Sequence, residues 1–336
     1  MTAAPRRPAP APETDPEGTP PTGLLDALEE LAVELAREAG RTIAAALKGD
    51  VRVEYKQQAR GEHAPTDPVS EVDHAIERLV LERVGALFPA HGFIGEEGAD
   101  ASDGDDAGDH DYVWVTDPVD GTTNFINGFP LFGCSIGVLY CGQPVIGAIW
   151  CSTGHALGPG VYHARIGGPL RFEGEVLEPR PAGGGGGVRR GLSAAPGGSP
   201  SRERRWDHRT TGSAVSECVF VSTGIFQSAL FWGLHIWDVA AGIVLVRAAG
   251  REVWMYDGSS WHPFERFEAP ARIPRGRGAR HAGRAPALRD WRMPLVIGTA
   301  EATETVRRRQ HQRRWRWRWI RWRRRVTAWL RRNGGG

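Results

Sequence analysis

The chain has 336 residues, 40% of them hydrophobic, which is enough for one large domain or two ordinary ones with a sizeable core. Its formal charge of +2 conceals an asymmetry: of 42 basic residues, 13 arginines lie from Thr305 onward among no acids, so residues 1–304 carry 29 basic and 40 acidic groups, a net −11. No apolar run approaches the roughly 20 residues of a membrane-spanning helix and no secretory core opens the chain, so the expected location is the cytoplasm. Four cysteines, Cys134, Cys141, Cys151 and Cys218, lack any C-x-x-C spacing, which argues against a zinc ribbon or a disulfide framework.

Residues 1–22 are rich in Pro, Ala, Thr and Glu and are expected to be disordered. Leu24, Leu25, Leu28, Leu31, Leu35 and Ile43 recur at three and four, predicting an amphipathic helix to about Lys48. Val72, Ile76, Leu79, Val80, Val84 and Leu87 predict a second helix from Ser70 to Phe88, with Ser70 and Asp73 spaced as a capping box. Residues 99–111 are an acidic insertion, read as a solvated loop. It is too irregular for a calcium loop. Short apolar segments at Cys134 to Tyr140, Pro144 to Cys151 and Val161 to Ile166, separated by glycines, predict an antiparallel sheet. "GGGGG" at 183–187 lacks the Lys-Ser/Thr of a phosphate loop and reads as a connector. Ser213 to Ser222 reads as helix or strand, Trp237 to Ala249 as a helix, and Glu252 to Tyr256 as a strand. Helices alternating with largely antiparallel strands predict a layered α/β arrangement.

The chemistry concentrates in "TDPVDGTTNF", residues 116–125, directly after the apolar run Tyr112-Val113-Trp114-Val115. Two carboxylates three positions apart repel, and one takes up a proton unless a cation lies between them. Hard divalent cations prefer such oxygens. Asp, Pro, Gly and Thr are also turn formers, so a plain polar turn is the competing reading. Glu96 and Glu97 in "FIGEEG", Asp238 in "WDVAAG" and Asp73 in "SEVD" also fall at element ends, where a fold can bring distant side chains to one cleft.

"FIGEEG", "WVTDPVDGTTNF" and "WDVAAGIVLVRAAG", in this order, resemble the signatures of the inositol monophosphatase family, magnesium-dependent and lithium-sensitive phosphomonoesterases. The resemblance covers about residues 24–268. It implies a five-layered α-β-α-β-α sandwich, usually dimeric. It further implies that Glu96, Asp117, Asp120, Asp238 and the carbonyl of Val119 ligate Mg2+. Thr122, with Asp73 and Glu96, would orient and activate the attacking water, and Gly121 and Thr122 would offer backbone N–H groups to the phosphate. Ser213 and Ala214 match small residues on the substrate side. Lys56 resembles the lysine of a mobile catalytic loop, and a plain surface lysine explains it equally well. One departure concerns the substrate: family members that take inositol phosphates commonly carry a glutamate seven residues before the last metal aspartate, and here that position is Phe231. A phenyl ring cannot accept a hydroxyl hydrogen bond. The resemblance thus implies phosphatase chemistry without implying inositol, and a nucleotide or sugar bisphosphatase is the alternative.

The expected organisation is a Pro-rich N-terminus to residue 22, a phosphatase domain over 23–268, a linker over 269–304, and a basic Trp/Arg-rich tail over 305–336. On a helix, Trp315, Trp319, Trp322, Val326 and Trp329 would form one apolar stripe among arginines. Such a face favours an anionic membrane surface, with RNA, packing on the domain, or disorder as the other readings. A non-catalytic scaffold presenting this tail is the contrasting function, although clustered carboxylates give a scaffold no benefit.

Overall fold

The computed structural model describes residues 20–47, 53–55, 68–98, 109–180, 191–195, 206–271 and 286–308. The expected disorder of residues 1–19, Lys56, most of the acidic insertion, the glycine run and the Trp/Arg stripe lie outside the described residues.

Helix α1 (Thr22–Ala46) forms because its apolar residues fall on one face: Leu25, Leu28, Leu31, Ala32, Leu35, Ala39 and Ile43 are all buried. Helix α2 (Glu71–Leu87) buries Val72, Ile76, Val80 and Val84. It carries Glu71 and Asp73 in its first turn, where negative charge suits the exposed N–H groups. A short ribbon, β1 (Val53–Tyr55) with β2 (Pro68–Ser70), precedes α2.

Both helices cover one face of a seven-stranded sheet whose order follows the chain: β3 (Gly92–Gly95), β4 (Tyr112–Asp120), β5 (Gly133–Tyr140), β6 (Gln143–Cys151), β7 (Gly160–Arg165), β8 (Arg171–Phe172) and β9 (Glu175–Val176). Only β3 and β4 pair in parallel. Every residue of β4 is buried because both faces of the sheet are covered. Tyr112 and Trp114 enter the core shared with α1 and α2, while Val113 and Val115 enter the core on the opposite side, as a period of two requires.

That second core is built on α4 (Ala214–Ser222) and α5 (Ile236–Ala248). α5 is apolar almost all round, which suits a helix enclosed between two sheets. The far sheet has the order β11 (Trp206–Arg209), β10 (Gly191–Ala194), β12 (Phe226–Phe231), β15 (Leu295–Gly298), β13 (Glu252–Tyr256), β14 (Trp261–Pro263). β10 is parallel to β11 and β12, and the remaining pairs are antiparallel. Residues 300–308 are helical and close the stack. Val253 faces α5, so its neighbours Glu252 and Trp254 point outward. There Thr303 Oγ1 donates to Glu252 Oε2 (2.6 Å) and the Arg307 guanidinium lies 3.5 Å from the Trp254 ring centroid. The five layers are therefore α-β-α-β-α.

Residues 269–304 are not a linker throughout. β15 is buried along its length and sits between β12 and β13 in the middle of its sheet. Its apolar run is three residues between Pro294 and Gly298, too short to announce a strand by pattern. Residues 305–308, expected as tail, belong to the closing helix. The four cysteines are free, and three of them are buried. Among the described residues, no helix is long and apolar enough to cross a membrane.

Candidate metal centre

The site begins where β4 stops pairing regularly. Asp117 opposes Ser135 and Asp120 opposes Gly133, so three steps on β4 match two on β5. This one-residue bulge falls at Pro118, which has no N–H to give to a ladder, and it turns both carboxylates to the end of the sheet. Gly121 then reverses the chain with φ +80, where a Cβ would meet the Leu131 carbonyl oxygen at 3.0 Å. The short helix α3 (Thr122–Ile126) follows. Thr122 Oγ1 donates to the Val119 carbonyl (2.9 Å). Asn124 Nδ2 donates to the carbonyls of Leu131 (2.7 Å) and Thr211 (2.8 Å), tying this turn to the loop before α4.

The third carboxylate comes from α5. Asp238 occupies the third helical position, where its Oδ2 accepts the His235 N–H at 2.6 Å. One oxygen each of Asp117, Asp120 and Asp238 lies within 4.8 Å of the others. Glu96, half-buried beyond β3, is not in this group, but its charge acts on all three members. Asp73 is buried in the first turn of α2.

The supports of the carboxylates differ. Asp120 accepts from the Ser213 hydroxyl and from the backbone N–H groups of Ala214 and Val215, both at 3.1 Å, at the start of α4. Ser213 and Ala214, expected beside the substrate, are thus engaged in holding a carboxylate. Asp117 Oδ1 is buried with no hydrogen-bond partner among the described residues. Burial first, then the charges of Glu96, Asp120 and Asp238, hold the Asp117 carboxyl well above its ordinary range. Burial pushes Asp120 up to about 6 against the pull of Ser213, Val215 and Ala214. Asp238 is raised by burial, Asp120 and Glu96, while the His235 N–H and Arg292 pull the other way. Mutually repelling carboxylates with an orphaned buried oxygen fit a cation between them, and an all-oxygen donor set fits a hard divalent ion.

Several groups around the centre carry no local sequence signal. Glu77, one turn after Asp73, is fully buried, and its Oε2 accepts the Glu97 N–H at 2.8 Å. Gly95 permits this approach: a Cβ there would lie 2.3 Å from the Glu77 carboxyl carbon. Glu77 therefore pins the turn that carries Glu96. Glu77→Leu is expected to weaken divalent-cation binding about tenfold or more, in the range typical of groups that orient ligands. Glu77→Gln, which retains an acceptor, should recover most of it; calorimetric titration of both variants checks this. The segment around the 3-10 turn Leu288–Asp290 reaches the same region, with Arg289 Nη2 3.5 Å from the Gly95 carbonyl and Arg292 on the ring of His235. Phe231 ends β12 buried in the core between the sheets, whereas the adjacent Trp232 is 45% exposed.

The arrangement is a cluster of carboxylates suited to a hard cation at the strand and helix ends of an α-β-α-β-α sandwich. The sequence model of the inositol monophosphatase family matches residues 24–290. Inositol monophosphatase 1 of Xenopus laevis is 30% identical over 242 residues, 67% of this chain and 81% of that one. The probable inositol 1-monophosphatase ImpA of Mycobacterium tuberculosis is 37% identical over 225 residues, 62% of this chain and 79% of its own length. Among solved structures, the Thermotoga maritima IMPase superposes with a TM-score of 0.58 at 21% identity, over 84% of this chain and 96% of that one. The chain belongs to the inositol monophosphatase family, and with it to the phosphatases.

Proposed function

We propose that the protein hydrolyses a phosphate monoester with Mg2+ held by Asp117, Asp120, Asp238, Glu96 and the Val119 carbonyl. The convergence of three aspartate oxygens within 4.8 Å, one aspartate lacking any other partner for a buried oxygen, is the observation that carries this reading. When bound, magnesium supplies charge neutralisation for the phosphoryl oxygens and activation of the attacking water. The protein's own groups supply position. The bulge at Pro118 and the turn at Gly121 aim the carboxylates, and the Thr122 hydroxyl fixes the Val119 carbonyl. Following the family resemblance, Thr122 with Asp73 and Glu96 orients the water, and the N–H groups of Gly121 and Thr122 receive the phosphate. Phosphoryl transfer asks for little beyond such positioning and electrostatic stabilisation.

The apolar Phe231 favours a substrate other than inositol phosphate, because no acid stands there to accept a polyol hydroxyl. A nucleotide or sugar bisphosphate is the second reading. We further infer a cytoplasmic homodimer, a phosphatase domain that extends through β15 and the closing helix, and a basic tail that meets anionic membrane or RNA. A phosphomonoester panel in magnesium tests the central reading: turnover of at least one substrate, inhibition by millimolar lithium and by excess calcium are expected. Calcium tolerates irregular coordination and so does not enforce the geometry of attack. Turnover indifferent to all three ions would refute the proposal.

A further inference from the structure

We propose that Arg292 reads a second anionic group, a phosphate or carboxylate on the leaving portion of the substrate, and so gives the enzyme a preference for phosphomonoesters that carry such a group. The inference deepens the phosphatase reading and rests on it.

Arg292 lies in the stretch between the turn at Leu288–Asp290 and β15. β15 pairs with β12 so that Phe231 faces Leu295. The chain leaving β12 through Trp232 to His235 and the chain entering β15 through Arg292 therefore meet at one end of the sheet. This is also the end from which α5 projects Asp238. The contact is direct: Arg292 Nε donates to His235 Nδ1 (3.4 Å) and its Nη2 reaches Nε2 of the same ring. That ring is stacked on Trp237, with 4.1 Å between centroids. The guanidinium is thus seated on a stacked His235–Trp237 pair that immediately precedes Asp238, and its charge reaches that carboxylate.

Arg292 is nevertheless exposed, and its Nη1 has no hydrogen-bond partner among the described residues. A planar fork of N–H donors is suited to phosphate and carboxylate oxygens. Its surroundings point to the leaving portion. Metal and backbone N–H groups would take the phosphate being cleaved, while the chain leaving β12 presents the exposed Trp232 at this edge and keeps Phe231 buried beneath it. A cation fixed at the rim of a carboxylate-lined site gives a second negative charge its attractive partner there.

The test compares matched substrates: glycerol phosphate against phosphoglycerate for a carboxylate, and a sugar monophosphate against its bisphosphate for a second phosphate. Arg292→Gln is expected to lower the ratio of kcat/KM, the substrate with the second anionic group over the one without it, about tenfold, mainly through KM. Arg292→Lys should restore it only in part, because the charge returns without the fork. The pair that responds identifies the anion. An unchanged ratio in both pairs, or equal losses on both members of each pair, would overturn the inference, the latter leaving Arg292 as a support for His235. Wild-type protein that turns over another phosphomonoester but none of these four would overturn this inference and leave the phosphatase reading standing.

Discussion

Asp117→Asn is expected to lose phosphatase activity on the order of a thousandfold or more, about 4 kcal/mol of transition-state stabilisation, while its metal-free form unfolds at the same or a higher temperature. The two halves of this expectation have one cause. Asp117 is buried, no donor reaches its Oδ1, and the charges of Glu96, Asp120 and Asp238 act against its ionised form. A neutral amide of nearly the same shape removes that repulsion and also removes a metal ligand. Asp120→Asn mixes two effects because three donors hold that carboxylate.

The sign of the pH dependence follows. The folded carboxyl of Asp120 binds its proton up to about 6 against an ordinary 3.8, so in metal-free protein the contribution is full below 3.8 and is lost as pH rises through about 6. Asp117 is shifted in the same direction. Thermal melts in chelator across pH, with and without the substitution, measure the stability half. Undiminished turnover by Asp117→Asn at saturating magnesium would remove Asp117 from the site.

Gly147→Val is expected to destabilise the protein by about 3 kcal/mol, lowering Tm by roughly 6–12 °C, and to weaken divalent-cation binding. Gly147 on β6 and Gly137 on β5 are directly paired across the strands. Together they form the floor on which α5 lies. A Cβ at Gly147 would stand 2.3 Å from the Ala241 carbonyl oxygen, and one at Gly137 would stand 3.0 Å from the Ala241 nitrogen. Both obstacles are backbone, so the helix itself has to move, and Asp238 moves with it. Gly85→Ala in α2, where no atom lies within 4 Å of the added carbon, serves as the control. It should stabilise by about 0.5–1 kcal/mol, the helix propensity difference. Calorimetric melts and metal titrations of both variants check the contrast. Unaltered cation affinity in a folded Gly147→Val would separate the seat of α5 from the metal centre.

Much of this architecture was legible where a periodic pattern or a charged turn stood in the chain. The apolar spacing of Leu25 to Ile43 gave α1, and the apolar run Tyr112 to Val115 lies within the buried β4. The carboxylates of Asp117, Asp120 and Asp238 announced themselves by repulsion at element ends, and the structure brings them together. The bulge that makes this possible could only be suspected from Pro118. β15 was hidden because three apolar residues between a proline and a glycine look like a loop until β12 and β13 flank them. Glu77 was hidden because an acid beside an apolar stripe reads as the solvated edge of a helix, and nothing local shows that Gly95 leaves room for it. Arg292 belongs to a segment more than fifty residues from Asp238, and only the pairing of β15 with β12 puts the two side by side.

The most direct test of the central claim is inorganic phosphate release by full-length protein stripped of metal with a chelator and then titrated with magnesium. A chain whose aspartates hold the catalytic cation should be silent on a responsive phosphomonoester when stripped, recover saturably with magnesium, and fail to recover when Asp117 is asparagine. Turnover that persists in chelator, or that magnesium restores equally in Asp117→Asn, would contradict the account.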